Sequence, residues 1–273
     1  MTATMDVKEA TTGAEKLRLV RITEGVRSDV EDSVVREAPL TIVLDNQELV
    51  TMLCSPIDLE YLAVGFLFSE GFLKSKEEIK KVVVDDRKGI AWVETMDGKG
   101  ADAGILSKRL ITSGCGRGAS FYSLADAQAG MRVESRFQML ARDVVALVGE
   151  FQHGSELHQV TRGVHSAALC DAREVVMFAD DIGRHNAIDK IIGRCILTDV
   201  PAGNHGLIFS GRISSEMLLK AARRGFPVVI SVASPTNVAV RMANDMGMTV
   251  VGMVRGKKMN IYSGDWRIVT DEG

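Results

Sequence analysis

The sequence of 273 residues lacks any apolar run that could cross a membrane, and it lacks a secretion signal at its start. A membrane-spanning helix needs about 20 consecutive apolar residues, and no run approaches that length. The first residues, MTATMDVKEATTGAEK, are polar and mixed in charge, without the apolar stretch behind a basic head that a signal peptide requires. We therefore expect a frayed tail over residues 1–16 and a cytoplasmic protein.

Cysteine is scarce, and its four residues form no CxxC pair. Such spacing argues against a disulfide framework and against a zinc site built from paired thiolates. Three of them, Cys54, Cys170 and Cys195, lie in apolar surroundings that suit a small buried side chain. The fourth, Cys115, lies in TSGCGRGAS, which has nothing apolar to pack against the thiol. That cysteine is therefore a candidate for chemistry.

Histidine is also sparse, and its five residues show no HxxxH or HExxH spacing for a metal. The net charge of -3 argues against a protein that coats nucleic acid. Hydrophobic residues make up 46% of the chain and charged residues 25%, the proportions of a globular protein with a substantial core. We expect no metal site, no nucleic-acid partner and no membrane partner.

Hydrophobic periodicity predicts an α/β protein with two domains. Strand-like runs near the start include a hairpin that turns at Asp45-Asn46, followed by a helix in PIDLEYLAVGFLFSEGFL. Beyond residue 141, strands alternate with helices such as RHNAIDKIIGRCIL, which predicts helices covering a mostly parallel sheet. We expect a smaller N-terminal α+β domain over 17–110, a cysteine loop and connector over 111–140, and an α/β domain over 141–273.

The segment ADDIGRHNAIDK collects polar residues where a strand enters a helix. Ligands of α/β sheets bind beyond the carboxyl ends of the strands, at such junctions. The density of ionisable and amide groups there exceeds what solvation of a helix requires, although an exposed helix face remains the alternative. The candidate site residues are Asp181, Arg184, His185 and Asn186.

Two further junctions, FSGRISSEMLLK and SVASPTNVAV, each place a hydroxyl residue before a helix. The unpaired amides of a first helical turn bind phosphate, and Arg212 beside Ser214 adds a bidentate donor. Plain N-capping explains the hydroxyl residues equally well. In MVRGKKMN, three cations surround a glycine, which suits either a solvated turn or the approach of a diphosphate. Together these segments predict a nucleotide-like or phosphorylated ligand.

The composition of the cysteine loop favours a carrier thiol. The thiolate is the nucleophile, and the nearby charge of Arg117 promotes its formation. Glycines at 114, 116 and 118 make the loop mobile. A mobile thiol suits a sulfur or acyl carrier that visits two sites, and it suits a fixed Cys-His hydrolase poorly.

These segments resemble the FdhD family, the accessory sulfurtransferases of formate dehydrogenase, over most of the chain from about Glu37 to Tyr262. DIGRHNAIDKIIG is similar to the most distinctive motif of the family, and TSGCG resembles its cysteine loop. EAPLTIVLDNQ, DLEYLAVGFLFSEGFL, SGRISSEMLLKAA, SPTNVAV and GMVRGKKMNIYS are similar to its other blocks.

The resemblance implies that sulfur arrives from a cysteine desulfurase as a persulfide on Cys115. It then passes to the molybdenum (or tungsten) bis-guanine-dinucleotide cofactor that formate dehydrogenase requires, which is bound through a GDP-like moiety. The resemblance also implies a C-terminal cytidine-deaminase-like three-layer domain and a homodimer. The cofactor contacts that it implies fall on Met253, Val254, Arg255, Gly256, Lys257 and Lys258.

Two departures qualify the resemblance. Many members have a CxxC loop, but this chain has Gly118 at the second position, so Cys115 would act alone. A deaminase needs an HxE motif and a PCxxC, whereas His165 is followed by Ser166 and Ala167 and no PCxxC occurs, which excludes deamination. The alternative to a sulfurtransferase is a non-catalytic chaperone that delivers the cofactor, with Cys115 incidental.

Overall fold

A computed structural model of the chain describes residues 13–98, 100 and 131–270, together with the backbone of two short strands between residues 110 and 120. The predicted carrier Cys115, its neighbour Arg117, and Gly118 lie outside the described residues. Within the described part, the structure is a mixed α/β protein with six α-helices, and the predicted fold class is confirmed.

The N-terminal part begins with an antiparallel ribbon and continues into a four-stranded sheet of order β4-β3-β6-β5. Asp45 and Asn46 have φ of 46° and 67°, the left-handed pair of a tight hairpin turn, so the predicted turn is confirmed. The elements are β1 (Ala14–Thr23), β2 (Val26–Val35), β3 (Ala38–Leu44), β4 (Gln47–Cys54), α1 (Leu59–Ser69), β5 (Ile79–Asp85) and β6 (Ile90–Thr95).

The C-terminal part contains a six-stranded sheet of order β11-β10-β12-β13-β14-β15. Its elements are α2 (Ala141–His153), α3 (Glu156–Thr161), β10 (His165–Cys170), β11 (Val175–Asp181), α4 (Arg184–Leu197), β12 (Gly206–Phe209), α5 (Ser215–Arg224), β13 (Val228–Ser231), α6 (Asn237–Met246), β14 (Thr249–Arg255) and β15 (Lys258–Ser263). Two small strand pairs complete the description: β7 (Leu110–Ile111) with β8 (Ala119–Ser120), and β9 (Met139–Leu140) with β16 (Ile268–Val269).

The six-stranded sheet is mixed, so the prediction of a mostly parallel sheet is wrong. Only the pairs β12–β13 and β13–β14 are parallel, whereas β10 is antiparallel to both of its neighbours and β14 is antiparallel to β15. The reason is the length of the connections. The Asp171 carboxylate accepts hydrogen bonds from the backbone N–H groups of Arg173 and Glu174, which closes a tight turn, and a turn this short can only return the chain antiparallel.

Helices cover both faces of this sheet, which makes three layers. Alternate strand residues face opposite sides, so Leu207 packs into the cluster beneath α4, α5 and α6, whereas Ile208 packs into the cluster beneath α2. α1 of the N-terminal part packs along α4, where Gly65 and Gly193 let the two backbones approach closely. Among the described helices, none combines the length and the apolar composition that crossing a membrane requires.

Candidate functional site

The predicted site segments meet at one edge of the six-stranded sheet. β11, β12, β13 and β14 end at this edge, and antiparallel β10 begins there, so His165 pairs with Asp181 across the sheet. At the strand ends, the Gly211 carbonyl accepts a hydrogen bond from Ser231 Oγ at 2.6 Å, and the Ala233 carbonyl accepts one from the Met253 amide at 3.1 Å. The loops after β12 and β13 are thereby joined to the ends of β13 and β14 in one row, which we call the strand-end row.

His165 lies at the start of this row and was not predicted as a site residue. Its Nδ1 is 3.2 Å from Ser210 Oγ, which accepts a hydrogen bond from the Ser166 amide at 3.1 Å. Burial lowers the pKa of His165, and the positive charge of Arg184 lowers it further. A neutral imidazole is therefore held beside a guanidinium, at a place where an anion would find donors.

Arg184, the first residue of α4, covers the backbone of the next loop. A Cβ at Gly211 would lie 3.0 Å from Arg184 Cδ, so this glycine makes room for the arginine stem. The Nε of Arg184 is buried and, among the described residues, has no hydrogen-bond partner. A buried N–H without a partner carries an energetic penalty that a bound anion removes.

His185 is held by a carboxylate on the next helix. Its Nε2 lies 2.9 Å from Glu216 Oε2. The side chain of His185 is 25% exposed and that of Glu216 is 19% exposed. Since Glu216 is in the first turn of α5, this contact links the starts of α4 and α5. Sequence reasoning missed Glu216 because it occupies an ordinary first-turn position for an acid.

Each of the two predicted junctions places a hydroxyl residue, Ser214 or Thr236, at the N-cap of a helix. Ser214 Oγ accepts a hydrogen bond from the Met217 amide at 3.4 Å, and Thr236 Oγ1 accepts one from the Ala239 amide at 3.3 Å. The capping interpretation is therefore confirmed for Ser214, whereas its contact with a ligand remains a prediction. Arg212 is exposed beside it and available to an anion.

The predicted basic turn lies at the other end of the row. Arg255, Gly256, Lys257 and Lys258 are exposed, whereas Val254 is buried in the core and only its backbone can contact a ligand. Met253 has a left-handed φ of 56°, at an irregularity in the pairing of β14 with β15. Three strand spacings, about 14 Å, separate β10 from β14 across the sheet.

Asp181 and Asn186, also predicted as ligand contacts, make their described hydrogen bonds elsewhere. Asn186 Nδ2 donates to the Leu53 carbonyl at 3.0 Å and to Asp181 Oδ1 at 2.9 Å. Asp181 is fully buried and forms an ion pair with Lys190 at 2.8 Å. Their bonds therefore face the N-terminal part of the protein rather than the strand-end row. Among the described residues, no three His, Cys, Asp or Glu side chains are grouped so that they could hold a metal ion.

The three described cysteines should resist alkylation under native conditions. Burial raises the pKa of Cys54 and Cys170 to about 12 and that of Cys195 to about 11. At pH 8, about one in a thousand of the Cys195 thiols and fewer of the other two are ionised. We expect iodoacetamide to modify one thiol per native chain, Cys115, and all four in denaturant, as counted by mass spectrometry. Rapid native labelling of Cys170 would contradict the described burial.

The depressed pKa of His165 predicts a pH dependence with a defined sign. The unfolded chain protonates its histidine near the ordinary pKa, 6.5, before the folded chain does, so this residue's contribution to stability is complete above pH 6.5 and is lost as the pH falls below it.

Arg184→Gln should raise the pKa of His165 in an NMR titration, because it removes a neighbouring positive charge. Arg241→Gln, on the exposed face of α6, is the matched control. An unchanged His165 pKa in Arg184→Gln would contradict the described proximity.

Comparison with known proteins covers nearly the whole chain. Residues 35–269 match the FdhD/NarQ family. Two relatives named "Sulfur carrier protein FdhD" are 42% identical to this chain (Bacillus pumilus strain SAFR-032; 90% of this chain, 94% of the relative) and 40% identical (Bacillus subtilis strain 168; 91% and 95%). The crystal structure of a "putative formate dehydrogenase accessory protein" from Desulfotalea psychrophila superimposes with a TM-score of 0.78 at 26% identity, covering 94% of this chain and 99% of that one. The chain therefore belongs to the FdhD/NarQ family.

Proposed function

We propose that this protein is a sulfur carrier that serves formate dehydrogenase in the cytoplasm. The observation that carries the proposal is the near-complete match to relatives named as sulfur carriers, at about 40% identity. The similarity to a solved formate dehydrogenase accessory protein supports the link to that enzyme. The thiol of Cys115, set among glycines and two residues from an arginine, is the chemical group that such a carrier needs.

In the first step, the Cys115 thiolate attacks the outer sulfur of a persulfide on a cysteine desulfurase. A new S–S bond forms on Cys115, and the donor cysteine leaves as its thiolate. Arg117 keeps Cys115 ionised for this attack. In the second step, the outer sulfur passes from Cys115 to the acceptor, a metal cofactor, and Cys115 is released as a thiol. The reduced metal of that cofactor supplies the two electrons that convert the transferred sulfur to sulfide.

The acceptor is the molybdenum (or tungsten) bis-guanine-dinucleotide cofactor, which we place as a substrate along the strand-end row. Arg184, whose buried Nε has no hydrogen-bond partner among the described residues, lies at one end, and the basic turn offers three exposed cations at the other. A guanine dinucleotide is long enough to contact both ends, and its diphosphate matches the cationic groups between them. We further propose that the protein acts as a homodimer, which its mass in solution tests.

Removing two charges from the basic turn should weaken nucleotide binding. Lys257→Ala with Lys258→Ala is expected to raise the Kd for GDP about tenfold, ~1.4 kcal/mol, because two cations near the phosphates are lost. Isothermal titration calorimetry measures this. Lys80→Ala with Lys88→Ala removes the same charge from the exposed surface of the N-terminal sheet and should leave the Kd unchanged. Equal Kd values for the turn variant and the wild type would remove the turn from the cofactor site.

The proposal as a whole is tested by loading the protein with sulfur. Incubation with a cysteine desulfurase and isotopically labelled cysteine should add one sulfur atom per chain, detectable by intact mass spectrometry and removed by a reductant. A wild-type protein that binds GDP but never acquires sulfur would favour the cofactor chaperone instead.

A further inference from the structure

The most distinctive motif of the sequence contributes to two different structures. Arg184 and His185 lie at the strand-end row, whereas Asp181, Asn186 and Lys190 contact the segment that leaves β4. We call Leu53, Ser55, Asp181, Asn186 and Lys190 the polar joint, and residues 182–185 the site loop. The polar joint connects the N-terminal sheet to the loop that carries the candidate site.

The Asp181 carboxylate has no hydrogen-bonding capacity left for a ligand. Oδ1 accepts from the Gly183 amide at 2.8 Å and from Asn186 Nδ2 at 2.9 Å. Oδ2 accepts from the Ser55 amide at 3.1 Å and forms the ion pair with Lys190 Nζ at 2.8 Å. A carboxylate offers about four acceptor positions, and three hydrogen bonds and this ion pair occupy them.

Lys190 is saturated in the same way. Its ammonium group forms the ion pair with Asp181 and donates hydrogen bonds to the Asp180 carbonyl at 2.8 Å and to the Ser55 carbonyl at 3.3 Å. The side chains of this ion pair are both 0% exposed. A buried pair held by these further hydrogen bonds is a structural element, since breaking it would leave an uncompensated buried charge.

The joint holds the site loop from two sides. Ser55 Oγ accepts a hydrogen bond from the Ile182 amide at 3.1 Å, and Asp181 accepts one from the Gly183 amide. Asn186 closes the arrangement, because both protons of its amide group are donated, to Leu53 and to Asp181. The last two residues of the loop, Arg184 and His185, begin α4 at the strand-end row.

We propose that Asp181, Asn186 and Lys190 are positioning residues that hold the site loop in place, and that they do not contact the ligand. The ligand itself rests on the proposed function. The segment Leu53–Ser55 of the N-terminal part is then a component of the site, although it lies behind the loop. This assigns the N-terminal sheet a role in orienting Arg184.

The test compares Ser55→Ala, Asn186→Ala and the double variant. Each single variant removes bonds of the joint, so each should raise the Kd for GDP about tenfold. The Kd of the double variant should not exceed that of the single variant with the higher Kd, because both substitutions act through the same loop. A direct ligand contact by Asn186 predicts instead an unchanged Kd in Ser55→Ala, since Ser55 is buried behind the loop. That result would overturn the inference.

A second readout does not depend on the ligand. Displacing Arg184 from its neighbour should raise the NMR pKa of His165 in both single variants, whereas unchanged values in both would overturn the inference. Asn186→Ser, which is smaller in its effect on packing, replaces Asn186→Ala if that variant does not fold. Ser28→Ala and Asn244→Ala are matched controls, because each removes an exposed side-chain bond to a backbone carbonyl elsewhere. If the wild type fails to bind GDP, the proposed cofactor site along the strand-end row is excluded. The pKa of His165 in the variants then decides alone whether the joint positions the site loop.

Discussion

Cys115→Ser is expected to lose all detectable persulfide when the protein is incubated with a cysteine desulfurase and cysteine. Serine retains the size of the side chain but cannot form a persulfide, and no second loop thiol stands in, because residue 118 is glycine. The other three thiols cannot take over, since their raised pKa values keep them protonated and the described structure buries them. Intact mass spectrometry measures the loss, which should be about a hundredfold or more at equal incubation time.

Cys195→Ala is the control for this experiment. It removes a thiol of the core and should load sulfur on Cys115 to the wild-type level, provided that circular dichroism shows the variant to be folded. Equal persulfide on Cys115→Ser and on the wild type would exclude Cys115 as the carrier.

Gly65→Ala is expected to destabilise the protein by at least ~3 kcal/mol, and Gly193→Ala similarly. A Cβ at Gly65 would lie 1.8 Å from the Asp189 carbonyl oxygen, and one at Gly193 would lie 1.9 Å from the Tyr61 carbonyl oxygen. These contacts are with backbone atoms, which cannot rotate away, so α1 and α4 must separate. Separation also disturbs Asp189, whose carboxylate accepts hydrogen bonds from Ser69 and Lys220 in the same interface. The free energy of unfolding from urea titration measures the effect.

Gly149→Ala provides the matched control within a helix. Among the described residues, no heavy atom outside the neighbouring backbone of α2 lies within 4 Å of a Cβ at Gly149, so alanine should be neutral or stabilise the protein by up to ~1 kcal/mol through its higher helix propensity. A Gly65→Ala variant within about 1 kcal/mol of the wild type would show that the two helices do not pack as closely as described.

Local features of the fold could be predicted because the residues that cause them are adjacent in sequence. The predicted helix RHNAIDKIIGRCIL coincides with α4, Arg184–Leu197, because its apolar periodicity is clear. β2 was missed because three acids interrupt its valines and the ribbon that it forms is largely exposed. The sheet directions were wrong where short turns, such as that at Asp171, join consecutive strands and reverse the chain.

The composition of the candidate site could be predicted only in part. Arg184 and His185 follow a strand end, which the sequence reveals, but His165 joins them only because β10 is antiparallel to its neighbours. Ser210 and Glu216 reach the site from the segment that follows β12. The same polar residue types serve a ligand and a buried joint equally well, so sequence alone could not separate the contacts of Asp181 from those of Arg184. The hydrogen-bond partners separate them.

Transfer of sulfur to the cofactor tests the central claim most directly. The protein is loaded with labelled sulfur, freed from the desulfurase and cysteine, and mixed with formate dehydrogenase whose cofactor lacks sulfur. We predict that the label leaves Cys115, appears on the cofactor and restores formate oxidation in proportion, whereas Cys115→Ser restores none. Equal restoration by Cys115→Ser and the wild type, without labelled sulfur on the cofactor, would contradict the sulfur-carrier function and leave delivery of the cofactor as the activity.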